Sequence, residues 1–139
     1  MFQLTGYARA FAAQGDYRNA RDVLIWIRQF VVGMKEPNVP SYLNKAESVL
    51  LADIAKYSYL LGNREDAVKA LRIAREVAEL FDANPNYEMV GFRFYRGDRD
   101  RTLFDGFGRT AIEGVWHAIR QDDSSVAALS ALWEQVLSE

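Results

Sequence analysis

Hydrophobic positions recur along the chain at the three-to-four-residue spacing of amphipathic helices. Residues 2–13 place Leu4, Tyr7, Ala8 and Phe11 on one face. Residues 17–34 place Ala20, Val23, Leu24, Ile27, Phe30 and Val31 on a stripe, with Ile25, Trp26 and Val32 off it. A helix apolar on more than one side is expected to pack against two neighbours. Pro37 and Pro40 cannot continue it, because proline lacks the amide proton and clashes with the preceding turn. Ser41 offers a cap for a third helix over 42–61, whose buried side is Leu50, Leu51, Ile54, Ala55 and Tyr57, with Lys56 and Tyr59 elsewhere. A fourth helix, 64–81, carries Ala67, Leu71, Ala74, Val77, Ala78 and Phe81 opposite a solvated face of Lys69, Arg72, Arg75, Glu76 and Glu79.

Beyond Pro85 the period is lost over about 83–107, an irregular insertion in which Val90, Phe92 and Phe94 alternate with Gly91, Arg93 and Tyr95 as a short extended segment. A loop this long in a compact domain is uncommon and often functional. The helical period returns over 109–121 (Ile112, Val115, Trp116, Ile119) and 126–137 (Val126, Leu129, Leu132, Trp133, Val136).

Two turns punctuate this pattern in the same way. Gly15-Asp16 and Gly62-Asn63 are each followed by Ala five residues after the Gly (Ala20, Ala67) and Leu nine after (Leu24, Leu71). Glycine takes the left-handed conformation that ends a helix, and Asp or Asn caps the next one. A small Ala lets the two helices approach closely. The sequence therefore predicts an all-α fold of three antiparallel helical hairpins, about 2–34, 42–81 and 109–137, within a single domain spanning 1–139.

Gln14-Gly15-Asp16-Tyr17 followed by Ala20, with the paired small positions Ala8/Ala20 and Ala55/Ala67, resembles the inter-helix turn of the tetratricopeptide-repeat (TPR) family. The likeness is specific over 4–28 and 51–78 and architectural beyond. The turn glycines lie 47 residues apart by their numbering, longer than that family's period of ~34, and the terminal Pro is missing from the first repeat. The resemblance implies a TPR-like right-handed solenoid in which the first helix of each hairpin lines a concave groove for a peptide. Carried over by position, the groove includes Thr5, Arg9, Ala12, Ala52, Lys56 and Tyr59, continued by His117 and Arg120 on the third hairpin. Arg9 and Lys56 would take a carboxylate or phosphate, and Tyr59 would stack. The competing reading is that these are simply solvated helix positions.

A second, narrower likeness lies in Leu80-Phe81-Asp82-Ala83-Asn84-Pro85-Asn86-Tyr87, Phe92-Arg93-Phe94 and Phe104-Asp105-Gly106-Phe107-Gly108-Arg109-Thr110-Ala111. These resemble the C-terminal TPR-like part of certain bacterial helix-turn-helix transcriptional regulators. That resemblance implies a sensor or oligomerisation domain, with Trp26, Trp133 and the apolar end helices as a homodimer surface. The first helix begins almost at Met1 with no cap before it, which reads as the edge of a fragment. The alternative is a free-standing adaptor or scaffold with no attached DNA-binding domain.

Charge and composition narrow the partners. The formal net charge is −2 with acids and bases interspersed, so direct nucleic-acid contact is not expected. There are no cysteines, hence no disulfide or thiolate metal site. No apolar run approaches the ~20 residues that span a bilayer, and residues 1–14 lack a signal peptide's pattern. The expectation is a soluble, cytoplasmic protein. His117, the single histidine, pairs with Glu113 at helical spacing, but no second histidine or activated nucleophile accompanies it. An exposed helix pair is the simpler reading. Arg96-Gly97-Asp98 is read as turn composition, and Gly106-x-Gly108 is too short for a phosphate loop. No catalytic residue, metal or cofactor is assigned, and no enzyme is expected; a protein or peptide ligand is.

Overall fold

The computed structural model describes residues 2–35, 42–82, 115, 119 and 125–139. Every extended element among these is a helix: α1 (Phe2–Ala13), α2 (Tyr17–Met34), α3 (Tyr42–Leu60), α4 (Arg64–Asp82) and α5 (Val126–Ser138). The four predicted helices before residue 83 and the last one are present with ends within a residue of expectation. The insertion over 83–107, most of the helix over 109–121 and the Pro37–Ser41 break lie outside the described residues. Of that fifth predicted helix, Val115 and Ile119 are described, and both are helical and buried.

Both glycine turns form as the sequence requires. Gly15 and Gly62 have φ of 79° and 81°, where a side chain would be strained. At the first turn the Asp16 amide donates to Phe11 O (2.9 Å) and the Gly15 amide to Ala12 O (2.9 Å). At the second the Asn63 amide donates to Ser58 O (2.9 Å) and the Gly62 amide to Tyr59 O (2.9 Å). This doubly bonded closure satisfies carbonyls that a helix end otherwise leaves open. Asp16 Oδ1 then accepts from the Asn19 amide at 3.2 Å, and Asn63 Oδ1 from the Asp66 amide at a longer 3.4 Å. One chemistry thus ends one helix and starts the next at both places.

Successive helices pack on one another: α1 on α2, α2 on α3, α3 on α4, and α5 across α4 and the edge of α3. This is an all-α bundle built by sequential helix packing, consistent with a helical-repeat-like architecture. The four paired alanines, Ala8, Ala20, Ala55 and Ala67, are all buried in one core with Leu24, Ile27, Val31, Leu51, Leu71 and Trp133. Tyr17 and Tyr57 stack between α2 and α3, centroids 6.1 Å apart and planes 18° from parallel. α5 is tied to α4 by Arg72, whose Nε and Nη2 donate to Glu139 (2.9–3.2 Å), and by Arg75 Nη1, which donates to Val136 O at 2.6 Å. The hydrogen bond from Arg72 is the main cause holding the Glu139 carboxyl below the usual range.

Several side chains depart from the sequence pattern. Tyr7 is 63% exposed, because α1 packs chiefly on α2 and has only one covered flank. α2 does pack against two neighbours, α1 and α3, but Phe30, expected on the buried stripe, is 55% exposed, and Ile25, Trp26 and Val32 are covered by neither neighbour. Trp133, expected on a self-association surface, is fully buried in the core. Its helix lies across α4 and α3, which cover it.

Candidate functional site

The predicted groove positions are placed as follows. On α1, Thr5 and Ala12 are half-buried and Arg9 is exposed. On α3, Ala52 is buried and Tyr59 half-buried. Lys56 is only 5% exposed. Its Nζ lies 3.1 Å from Asp53 Oδ1, one turn back on the same helix, and 5.9 Å from the centroid of the Tyr57 ring. Its charge is therefore engaged within α3 instead of standing in solvent. His117 and Arg120 lie outside the described residues.

Two further features stand out, one with no counterpart in the sequence reading and one only partly anticipated by it. The first is a buried polar cluster between α2 and α3. Glu47 is 2% exposed, and both its oxygens are engaged: Oε2 accepts from Arg28 Nε at 3.0 Å, and Oε1 from Lys35 Nζ. Lys35 Nζ also donates to Asn44 Oδ1 at 2.9 Å. Arg28 and Lys35 are two turns apart on one flank of α2, and Asn44 and Glu47 are one turn apart on α3. Burying a carboxylate is costly unless it is paired and hydrogen-bonded, and two cations meet that need here. Asn44 is fully buried, and with Oδ1 fixed on Lys35 its Nδ2 faces no acceptor. The available signal is an Asn-x-x-Glu step in the first turns of α3. What the spacing did not reveal was the pairing with residues 19 and 12 positions away.

The second feature is the outer surface of α2. Trp26 is 51% exposed and meets Phe30 edge-on, with centroids 4.8 Å apart and planes at 71°. At about 100° per residue, this pair lies on one flank of α2 and Ile25 and Val32 on the other, with Asp22 and Gln29 between. The sequence had marked Ile25, Trp26 and Val32 as off the stripe, and that irregularity was the usable signal.

Among the described residues, no cluster of three or more His, Asp or Glu is placed to hold a metal ion. Nor is any helix among them long and apolar enough to cross a membrane. No protein-family model, curated protein sequence or solved structure matches the chain. The described residues form a small all-helical domain, consistent with a protein-interaction module in general.

Proposed function

We propose that the chain is a non-catalytic, TPR-like protein- or peptide-binding module, the sensor or oligomerisation domain of a bacterial regulatory protein. The observation that carries this reading is the exposed Trp26–Phe30 pair on α2. Single exposed apolar residues are ordinary, whereas two large aromatics exposed together are a common mark of an interface. Repeated helical hairpins also leave end surfaces that have to be capped or paired.

Sedimentation velocity over about 1 to 100 µM, the range in which weak self-association becomes visible, tests the oligomerisation reading. Dimer formation is expected in the parent and loss of it in the Trp26→Ser, Phe30→Ser double variant, with helicity by circular dichroism unchanged. A parent that stays monomeric throughout overturns the oligomerisation reading and leaves a monomeric sensor or adaptor.

A further inference from the structure

The α2–α3 seam holds more hydrogen-bond donors than acceptors. Glu47 has both oxygens occupied. Against its one negative charge stand the two positive charges of Arg28 and Lys35. Arg28 reaches Glu47 through Nε, and among the described residues its two terminal nitrogens have no protein partner. Lys35 Nζ has given one bond to Glu47 and one to Asn44 Oδ1, leaving a third N–H. Asn44 Nδ2 is a fully buried donor with no acceptor. Buried polar groups are nearly always satisfied, and an orphan donor costs the full penalty of its lost hydration. Arg21, one further two-turn step back along the same flank of α2, has a buried Nε that makes no hydrogen bond and lies 3.9 Å from Asp22 Oδ1.

We propose that this seam is a binding site for an oxyanion, held by the terminal nitrogens of Arg28, Lys35 Nζ and Asn44 Nδ2. The one fully buried unpartnered group, Asn44 Nδ2, is a donor, and the two cations outnumber the carboxylate, which disfavours a cation and a neutral acceptor-poor ligand. The local excess of one positive charge fits a singly charged oxyanion best. Arg28 keeps about a third of its side chain in solvent, so a ligand would reach the seam from that side. Glu47 is not displaced: it holds the two cations 12 and 19 residues away in one place and lowers the cost of gathering them. The site does not depend on the Trp26–Phe30 surface, which lies on the other flank of α2, so its test and the sedimentation test fail independently.

The test is a titration with sodium acetate, and separately with sodium phosphate, at constant ionic strength balanced with sodium chloride. The readouts are the Asn44 side-chain NH2 signals in 15N–1H correlation spectra, assigned by their loss in Asn44→Leu, and the melting temperature. Saturable movement of those signals and a rise in melting temperature that grows with ligand are expected. Arg28→Gln, which leaves Lys35 on Glu47, should bind about tenfold more weakly; Lys69→Gln, on the exposed face of α4, should bind as the parent does. Saturation by acetate identifies a carboxylate head group, and saturation by phosphate alone a phosphate one. The proposal is overturned if neither anion moves the Asn44 signals, or if Arg28→Gln and Lys69→Gln respond alike, which is a general salt effect.

Discussion

α2 and α3 are neighbours of nearly equal length, and they invert the usual relation between chemistry and position. α2 exposes Ile25, Trp26, Phe30, Val32 and Met34, whereas α3 buries Asn44, Glu47, Ser48, Lys56 and Ser58. The difference follows from how many elements surround each. α3 is enclosed by α2, α4 and the edge of α5, so nearly every direction from its axis meets protein. Its polar residues are buried by location and have to find partners there. α2 has α1 and α3 as its packing partners, and that leaves an open outer face whatever residues occupy it. Burial is set by the number of packed neighbours, and residue type decides only what that burial costs.

The largest effect should come from breaking the polar interior of α3. Glu47→Ala leaves Arg28 and Lys35 without their shared counter-charge and should cost about 3 kcal/mol, the lower end for a broken buried pair because Arg28 reaches water. Urea unfolding checks this, set against Trp26→Ser on the open face of α2, which should cost under about 0.5 kcal/mol. Equal costs for the two would erase the distinction between the helices.

A smaller loss is expected at the turns that fix how the helices succeed one another. Gly62→Ala meets no neighbouring atom, so its cost is the left-handed backbone alone, about 1–2 kcal/mol. Gly15→Ala should match it, because the two turns share their hydrogen bonds. Thermal melts of both variants measure the pair, and a large difference between them would show that one turn relaxes on substitution.

The smallest effect concerns the surface tie between α4 and α5. The Glu139 carboxyl is held below its ordinary value of 4.5, first by the hydrogen bond from Arg72, with burial opposing it. A depressed carboxylate contributes stability above its unfolded pKa and loses it as pH falls through the folded one. The contribution is therefore intact at neutral pH and disappears below about pH 4.5. Both partners stand in solvent, so screening keeps the effect small. In Arg72→Gln, an NMR pH titration should find the Glu139 carboxyl returned towards its ordinary value.

The helices and turns were legible because their signals are local. Gly15 with Asp16 and Gly62 with Asn63 state the turn within two residues, and the apolar period of α4 gives both its buried Ala67, Leu71, Ala74 and Ala78 and its exposed Lys69, Arg72, Glu76 and Glu79. Phe30 and Tyr7 are exposed against the pattern because periodicity ranks the faces of one helix without saying how many faces its neighbours cover; Trp133 is buried as its stripe predicts, and only the self-association surface implied by the resemblance fails there. The Arg28–Lys35–Asn44–Glu47 cluster was invisible for a different reason. Whether a glutamate is solvated or buried and paired depends on two side chains from another helix, which no spacing within α3 encodes.

The twin turns also set an order of events. Each hairpin closes through hydrogen bonds between residues at most five apart, so little loop entropy opposes it and it can assemble early. Among the links that join one hairpin to the next, or the last helix to the fourth, are Arg28 with Glu47 and Arg72 with Glu139, spanning 19 and 67 residues. They report docking, which comes after hairpin closure. Truncating Glu47 should therefore appear chiefly as faster unfolding, with the refolding rate left near that of the parent. On that order the cluster would be a clasp closed late, and its loss would be read in how fast the folded chain opens.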